Sequence, residues 1–259
     1  MAEIGFFDIE TASADLLYLG GHPGRFVRLC GGASDRKESV GVTADPAGLL
    51  DFLNRAKVIV GHNVFRFDLP ALAFHCGADY DALAAKTVDT AVLARQADPP
   101  SAKGMKAGYY SLDEVARRYG VAGKTDDLRV LALGYSPFVH PVTGEKLTEA
   151  ERVRQGYALI PVDDPRYAEY LRGDLAATRN VYRMLAPALN DYSLREMRVV
   201  AIQGRMTLNG WRVDEALLKE RVDAEETRRQ QALDVLAGTY GIPLTRLVTR
   251  GRGAAKVTV

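Results

Sequence analysis

The chain has 259 residues and a mass of 28.3 kDa, enough for one large domain with an appendage and for a sizeable buried core. Hydrophobic residues make up 47% and charged residues 26% of the sequence, a globular composition that excludes extensive disorder. Thirty-four Lys and Arg residues against 33 Asp and Glu residues give a net charge of +1. This balance excludes a uniformly basic nucleic-acid-binding protein but not a local basic strip.

The two cysteines, Cys30 and Cys76, are too few for a disulfide framework or a cysteine zinc cluster, so a reducing compartment is expected. The N-terminal residues have neither the basic region nor the long apolar region of a signal peptide. No segment approaches the roughly 18–20 apolar residues that span a membrane. We therefore expect a soluble, cytoplasmic protein with no membrane partner.

Short apolar runs alternate with amphipathic segments through most of the chain, which indicates an α/β layered domain. The predicted strands are 4–10, 26–30 and 58–61, and the segment 88–93 is ambiguous between strand and helix. Gly31 and Gly32 are expected to stop the second strand. Helices are predicted after the capping residues Asp45, Ser111, Thr148 and Asp164, and one further helix begins near Leu69.

The alternation of predicted strands and helices ends near residue 190, where we place a domain boundary between 1–190 and 191–259. Within the first domain, 134–160 is rich in turn residues and is predicted to be an insertion. Beyond the boundary, 193–208 and 215–237 are predicted helices. The basic segment 245–259 is expected to be a solvated tail.

Four carboxylates occur where apolar or capping residues are otherwise expected. Asp8 and Glu10 are two apart on the first predicted strand, so their side chains share one face. Asp68 follows the third strand, near the carboxyl ends of strands where α/β sheets bind ligands. Asp174 interrupts the apolar stripe of the last long helix of the α/β domain, one turn after Tyr170.

Three of the four acids also have a simpler interpretation: Asp8 and Glu10 solvated beyond a shorter strand, and Asp68 as a helix cap. Convergence of all four would instead form an oxygen-only ligand set, which suits Mg²⁺ or Mn²⁺ and not zinc. Two such ions can activate water and stabilise the leaving oxygen in phosphoryl displacement. The pattern therefore points to nuclease chemistry.

The order of three short motifs resembles the DEDD exonuclease superfamily: 7–11 (FDIET), Asn63 with Phe67-Asp68, and Tyr170 with Asp174. Tyr170 in the last motif is typical of the "y" branch. Over about 4–187 the chain is most similar to the 3′→5′ proofreading domain of family A (polymerase I type) DNA polymerases, particularly bacteriophage ones. The segments 111–116, 123–126 and 195–214 also resemble that family. Three residues separate Asn63 from Phe67 where the family usually has two, and Phe67 replaces a Tyr.

This resemblance implies a ribonuclease H-like mixed sheet flanked by helices, followed by a small α-helical segment that resembles the start of a polymerase region. It further implies two Mg²⁺ or Mn²⁺ ions. Their ligands would be Asp8, Glu10 and Asp174 at the first ion, Asp8 as a bridge to the second, and Asp68 acting through water at the second.

The remaining site residues also follow from the resemblance. Tyr170 and Glu10 would orient the attacking water, the tyrosine as a hydrogen-bonding phenol because a phenol titrates near pH 10. Thr11 and Asn63 would touch the terminal nucleotide, and Phe67 would pack against a base or sugar. A core role for Phe67 is the alternative.

The implied activity is a metal-dependent 3′→5′ DNA exonuclease that releases nucleoside 5′-monophosphates from single-stranded or frayed 3′ ends. Its expected partner is the polymerase region if the domain belongs to a longer polymerase, and a stand-alone homologue is the alternative. Its expected location is the cytoplasm, the host's if the protein is phage-encoded. Two alternatives stay open. One is an RNA-processing 3′ exonuclease of the same superfamily, and the other is a catalytically silent domain that binds single strands or a partner protein.

Overall fold

A computed structural model describes residues 4–15, 25–36, 40–99, 107–123, 128–210, 212–241, 245–250 and 253–258. The predicted connector 123–126 thus lies largely outside the described residues. The chain forms two compact units, 1–209 and 210–259. No helix among the described residues is both long enough and apolar enough to cross a membrane.

The first unit contains five strands and nine α-helices among its described residues. The strands are β1 (Ile4–Thr11), β2 (Val27–Ser34), β3 (Val40–Thr43), β4 (Val58–Gly61) and β5 (Thr87–Asp89). The helices are α1 (Pro46–Arg55), α2 (Asp68–Cys76), α3 (Tyr80–Ala84), α4 (Thr90–Ala97), α5 (Leu112–Arg118), α6 (Leu128–Tyr135), α7 (Glu149–Leu159), α8 (Pro165–Leu185) and α9 (Asp191–Asn209), with a short 3-10 helix at Ala186–Ala188.

The five strands form one mixed sheet in the order β3-β2-β1-β4-β5. The neighbours β1 and β2 are antiparallel, as are β2 and β3, whereas β1, β4 and β5 run parallel. Because β1 is central and helices cover both faces of the sheet, Phe6, Phe7 and Ile9 are all buried. This topology confirms the ribonuclease H-like mixed sheet.

Gly31 and Gly32 do not stop β2, contrary to the prediction, and the strand continues through them to Ser34. A Cβ on Gly31 would lie 2.5 Å from Leu175 Cδ1 in α8, and one on Gly32 would lie 3.1 Å from the Phe52 ring in α1. The two glycines therefore allow helices to pack closely on opposite faces of the sheet. The partners of these glycines, Leu175 and Phe52, are distant from them in sequence.

The ambiguous segment 88–93 contains both kinds of structure, because β5 ends at Asp89 and α4 begins at Thr90. The Asp89 side chain caps α4 by accepting a hydrogen bond from the Ala91 amide at 2.8 Å. The edge strand β3 was not predicted. It is four residues long and pairs only through Val40–Thr43 with β2.

The segment 134–160 contains the end of α6, an isolated bridge between Val139 and Lys146, and α7. A complete capping box between Thr148 and Glu151 begins α7, as predicted. Gly156 lies against α6 so closely that a Cβ would be 2.1 Å from the Ala132 carbonyl oxygen. The two helices are thus packed backbone to backbone.

Helix α9 belongs to the first compact unit, which ends at Asn209. Gly204 allows its close approach, because a Cβ there would lie 2.2 Å from the Phe65 carbonyl oxygen. The Tyr80 hydroxyl donates to the Ala201 carbonyl at 2.7 Å, and Arg205 forms an ion pair with Asp81. These contacts fix α9 against α2 and α3.

The second unit contains α10 (Glu215–Tyr240) and a hairpin of β6 (Thr245–Arg250) and β7 (Gly253–Thr258). The hairpin differs from the solvated tail that was predicted. Thr and Val, which favour strands, make up three of the six residues of β6. Helix α10 begins at the cap Asp214, whose side chain accepts from the Leu217 amide at 3.0 Å.

Candidate metal centre and active site

Three carboxylates converge at the centre of the first unit. One oxygen from each of Asp8, Glu10 and Asp174 lies within 4.8 Å of the other two. Glu10 is 8% exposed and Asp174 is 5% exposed, while Asp8 is partly exposed. Asp8 and Glu10 come from one face of β1, and Asp174 comes from the buried stripe of α8 that packs over the sheet. The structure therefore brings together the predicted acids of the first and last motifs.

Asp68 joins this group from the first turn of α2, where Phe67 is the N-cap residue. Its Oδ1 accepts a hydrogen bond from the Ile9 amide at 3.3 Å, and its carboxyl group also hydrogen-bonds to Asp8. Burial raises the pKa of Asp68 to about 7, and the nearby charge of Asp89 adds to the rise. A fourth carboxyl group thus touches the cluster in a setting that disfavours its ionisation.

The loop before α2 holds Asn63 in the left-handed backbone region, with φ of 62°. Asn tolerates this conformation better than most residues. The buried Asp89 carboxylate accepts hydrogen bonds from the Asn63 amide at 2.8 Å and from the Phe65 amide at 3.4 Å. Asp89 thereby orients the loop that leads to Asp68.

Tyr170 lies one turn before Asp174 on α8, so the two side chains share one face of the helix. Burial raises the pKa of Tyr170, and the negative charges of Asp174 and Glu10 raise it further. The phenol therefore stays protonated throughout the physiological pH range. It is a hydrogen-bond donor and acceptor rather than a base.

A cleft of about 650 Å³ opens onto Asp8 and Asp174 and is also lined by Asn63, Arg95 and Tyr110. The Arg95 guanidinium lies 5.3 Å from the centre of the Tyr110 ring, a cation–π contact. Neither Arg95 nor Asp89 was predicted from the sequence as a site residue. Asp89 is the N-cap residue of α4 and Arg95 lies in the last turn of that helix, and neither is part of the three motifs.

Thr11 and Phe67 are not among the residues that line the cleft at Asp8 and Asp174. The Thr11 hydroxyl donates to the Ser13 carbonyl at 2.7 Å, at the start of the loop that follows β1. Phe67 and residues 13–15 line a second cleft of about 800 Å³, which we call the aromatic cleft. Its other lining residues, from α2 and the loop before it, α7 and α9, are Arg66, Pro70, Phe74, Arg154, Tyr157, Thr207 and Leu208.

The acid cluster fits a divalent cation. In an octahedral Mg²⁺ site with bonds of about 2.1 Å, ligand oxygens are about 3 Å apart when adjacent and about 4.2 Å apart when opposite. The 4.8 Å limit on the separations of Asp8, Glu10 and Asp174 requires only small side-chain adjustments to reach these values. Clustered carboxylates repel one another unless a cation neutralises them, and the all-oxygen donor set favours Mg²⁺ or Mn²⁺.

The sequence matches no protein-family model and no curated protein. Among solved structures, the chain is similar to RNase D from Trypanosoma brucei, determined as a complex with GMP. The TM-score is 0.47 and the sequence identity is 18%. The match covers 82% of this chain, which spans 60% of the length of that structure. The resemblance to the polymerase branch depends on the sequence motifs alone.

Proposed function

We propose that this chain is a metal-dependent 3′→5′ exonuclease of the DEDD type, which releases nucleoside 5′-monophosphates from a single-stranded polynucleotide end. The observation that carries the proposal is the convergence of Asp8, Glu10 and Asp174 within 4.8 Å. The contact of Asp68 with Asp8 and the position of Tyr170 one turn before Asp174 support it.

Asp8, Glu10 and Asp174 would hold divalent cations, with Asp68 contributing from the adjoining position. Such ions activate water and stabilise the charge that develops on the leaving oxygen of a phosphodiester. The number of ions is predicted to be two.

The protein's own contribution is to orient the reactants. Tyr170 keeps its proton, so its hydroxyl can hold a water molecule by a hydrogen bond beside Asp174. The backbone amide of Asn63 is fixed at the edge of the cleft by the Asp89 carboxylate, and we expect the Asn63 side-chain amide to contact the terminal nucleotide. Fixed hydrogen-bonding groups lower the entropic cost of reaching the reactive geometry.

The resemblance to proofreading domains predicts a DNA substrate. The alternative, an RNA-processing exonuclease of the same superfamily, predicts an RNA substrate. The four acids and Tyr170 serve phosphodiester hydrolysis in either polymer, because the reacting phosphate is the same. Matched single-stranded DNA and RNA of one sequence distinguish the two. A preference for RNA would replace the polymerase-linked interpretation with an RNA-processing one.

The test is digestion of a 5′-labelled single strand with Mg²⁺ or Mn²⁺, with product size followed by gel electrophoresis. We expect stepwise shortening from the 3′ end that stops in chelator. Asp174→Asn should lower the rate at least ~10³-fold, because it removes a cation ligand from the centre of the cluster. The matched control is Asp163→Asn, an exposed residue just before α8 that should keep full activity.

Unchanged digestion by Asp174→Asn would refute the proposed active site. Binding of the labelled strand without turnover at any concentration of either metal would favour the silent-domain alternative.

A further inference from the structure

The aromatic cleft is larger than the cleft at the acid cluster, about 800 Å³ against about 650 Å³, and none of its lining residues binds the proposed metal. It presents two arginines, one acid (Asp15) and three aromatic side chains, together with Ser13, Thr207 and apolar atoms. At about 800 Å³, it lies within the size range of ligand sites, roughly 300–1,000 Å³. The chemistry of this lining indicates which ligand it would take.

Two elements of the cleft are continuous with the proposed active site. Residues 13–15 follow directly on β1, the strand that carries Asp8 and Glu10. Phe67 precedes Asp68 and caps the same helix. The cleft is thus built in part from the chain segments that carry Asp8, Glu10 and Asp68.

Helix α7 supplies the outer side of the cleft through Arg154 and Tyr157, which are three residues apart and so share one helix face. The helix is held in place by the close contact of Gly156 with α6 and by Arg28, whose Nη2 donates to the Ile160 carbonyl at 2.9 Å. The predicted insertion 134–160 thus has a definite role. It builds a wall of this cleft.

Phe74 gives the cleft an accessible aromatic surface, because its side chain is 58% exposed on α2. Exposing a Phe ring to water is unfavourable unless a ligand covers it. Nucleobases stack on such rings in sequence-tolerant single-strand binding, and arginines beside them contact phosphates. Arg66, whose Nη2 lies 3.2 Å from Gln203 Oε1, and the exposed Arg154 provide these charges.

We infer that the aromatic cleft binds the nucleotides upstream of the terminal one, with a base stacked on Phe74 and a phosphate beside Arg154. This inference rests on the proposed function and specifies how the substrate strand is held. The occupant is single-stranded polynucleotide, because aromatic rings and arginines together complement both bases and phosphates.

The first test is the binding of a 5′-fluorescein-labelled thymidine decamer to the intact chain in chelator, followed by fluorescence anisotropy at several salt concentrations. Phe74→Ala should weaken binding roughly tenfold at every salt concentration, because it removes one stacking contact. Arg154→Ala should weaken binding and also reduce the slope of log affinity against log salt by about 0.7, the value for one phosphate contact on a single strand. A purely structural effect would not change that slope.

Matched controls lie on α9 outside the cleft lining. Tyr192 is 57% exposed, like Phe74, and Arg198 is exposed like Arg154. Tyr192→Ala and Arg198→Ala should bind the decamer as the unmodified protein does. Equal loss of affinity in the controls would overturn the assignment of this cleft.

The second test separates the cleft from the active site by turnover. The p-nitrophenyl ester of thymidine 5′-monophosphate has a cleavable phosphodiester but no upstream nucleotide. The double variant Phe74→Ala with Arg154→Ala should keep the kcat/KM for this ester within about twofold and lose at least roughly tenfold for the decamer.

Equal kcat/KM of the unmodified protein and the double variant on the decamer would overturn the inference and leave the proposed function standing. Failure of the unmodified protein to cleave either substrate would instead refute the proposed function. The anisotropy measurements would then test strand binding by the cleft without turnover: weaker binding by the Phe74 and Arg154 variants alone would support it, and unchanged binding would overturn it.

Discussion

Replacement of Asp68 by asparagine should stabilise the metal-free protein while it damages the active site. The Asp68 carboxyl group is buried, and its pKa rises from the ordinary value of 3.8 to about 7. This rise in pKa means that ionising Asp68 costs ~4 kcal/mol more in the native state than in the unfolded state. The asparagine side chain carries no charge, and its carbonyl oxygen can still accept from the Ile9 amide.

The sign of the pH dependence follows from the raised pKa. The native state holds the Asp68 proton more tightly than the unfolded state, so the stability that this group contributes is complete below about pH 4. It is lost as the pH rises through about 7. Asp68→Asn should therefore raise Tm above the unmodified value at about pH 8 and have little effect at about pH 4.

The assay is thermal unfolding in chelator, followed by circular dichroism at both pH values. If reorganisation of the cluster recovers half of the ~4 kcal/mol, the gain at pH 8 is roughly 2 kcal/mol, or about 4–8 °C in Tm. The exposed Asp163→Asn is the control and should not change Tm at either pH. Excess Mg²⁺ should reverse the order, because a bound cation stabilises the intact carboxylate cluster more than the variant.

Destabilisation of Asp68→Asn by the same amount at both pH values would refute this reasoning. It would show that packing or hydrogen bonding, and not the cost of a buried charge, dominates at this position.

Three further predictions concern the site and the sheet. Tyr170→Phe should lower kcat roughly 10²-fold, because it removes the hydroxyl that orients water. In the unmodified enzyme, a plot of kcat against pH should show no inflection from this phenol below about pH 10, because the pKa of Tyr170 is raised. Gly31→Ala should lower the free energy of unfolding, measured by chemical denaturation, by about 1–3 kcal/mol, because its Cβ would lie 2.5 Å from Leu175 Cδ1. Gly48→Ala is the control in α1: its Cβ would have no neighbour within 4 Å, so it should raise the free energy of unfolding by about 0.5–1 kcal/mol. Asp89→Ala should lower the free energy of unfolding by about 1–3 kcal/mol and raise KM, because the Asn63 amide loses its acceptor; an unchanged KM would contradict this.

The sequence was sufficient to predict the elements that carry the acids, because their patterns are local. An apolar run surrounds Asp8 and Glu10 in β1, and the buried stripe of α8 has the helical period with Asp174 on it. The capping residues Asp45, Thr148 and Asp164 begin their helices as predicted.

Features that depend on distant contacts could not be predicted in this way. Gly31 and Gly32 have the composition of a turn, and only the packing of α1 and α8 on opposite faces explains their place within β2. Asp89 has the pattern of an ordinary helix cap, and its hydrogen bonds to Asn63 and Phe65 arise from the parallel pairing of β4 with β5. The aromatic cleft combines segments from four parts of the chain, so no local pattern indicates it.

The central claim is that three acids from β1 and α8 form one cation site, and a crystal soaked in Mn²⁺ tests it most directly. Anomalous scattering locates the metal independently of any assumption about the ligands. The account predicts a peak about 2.0–2.3 Å from carboxylate oxygens of Asp8, Glu10 and Asp174. A crystal with strong manganese peaks elsewhere and none among these three side chains would contradict it.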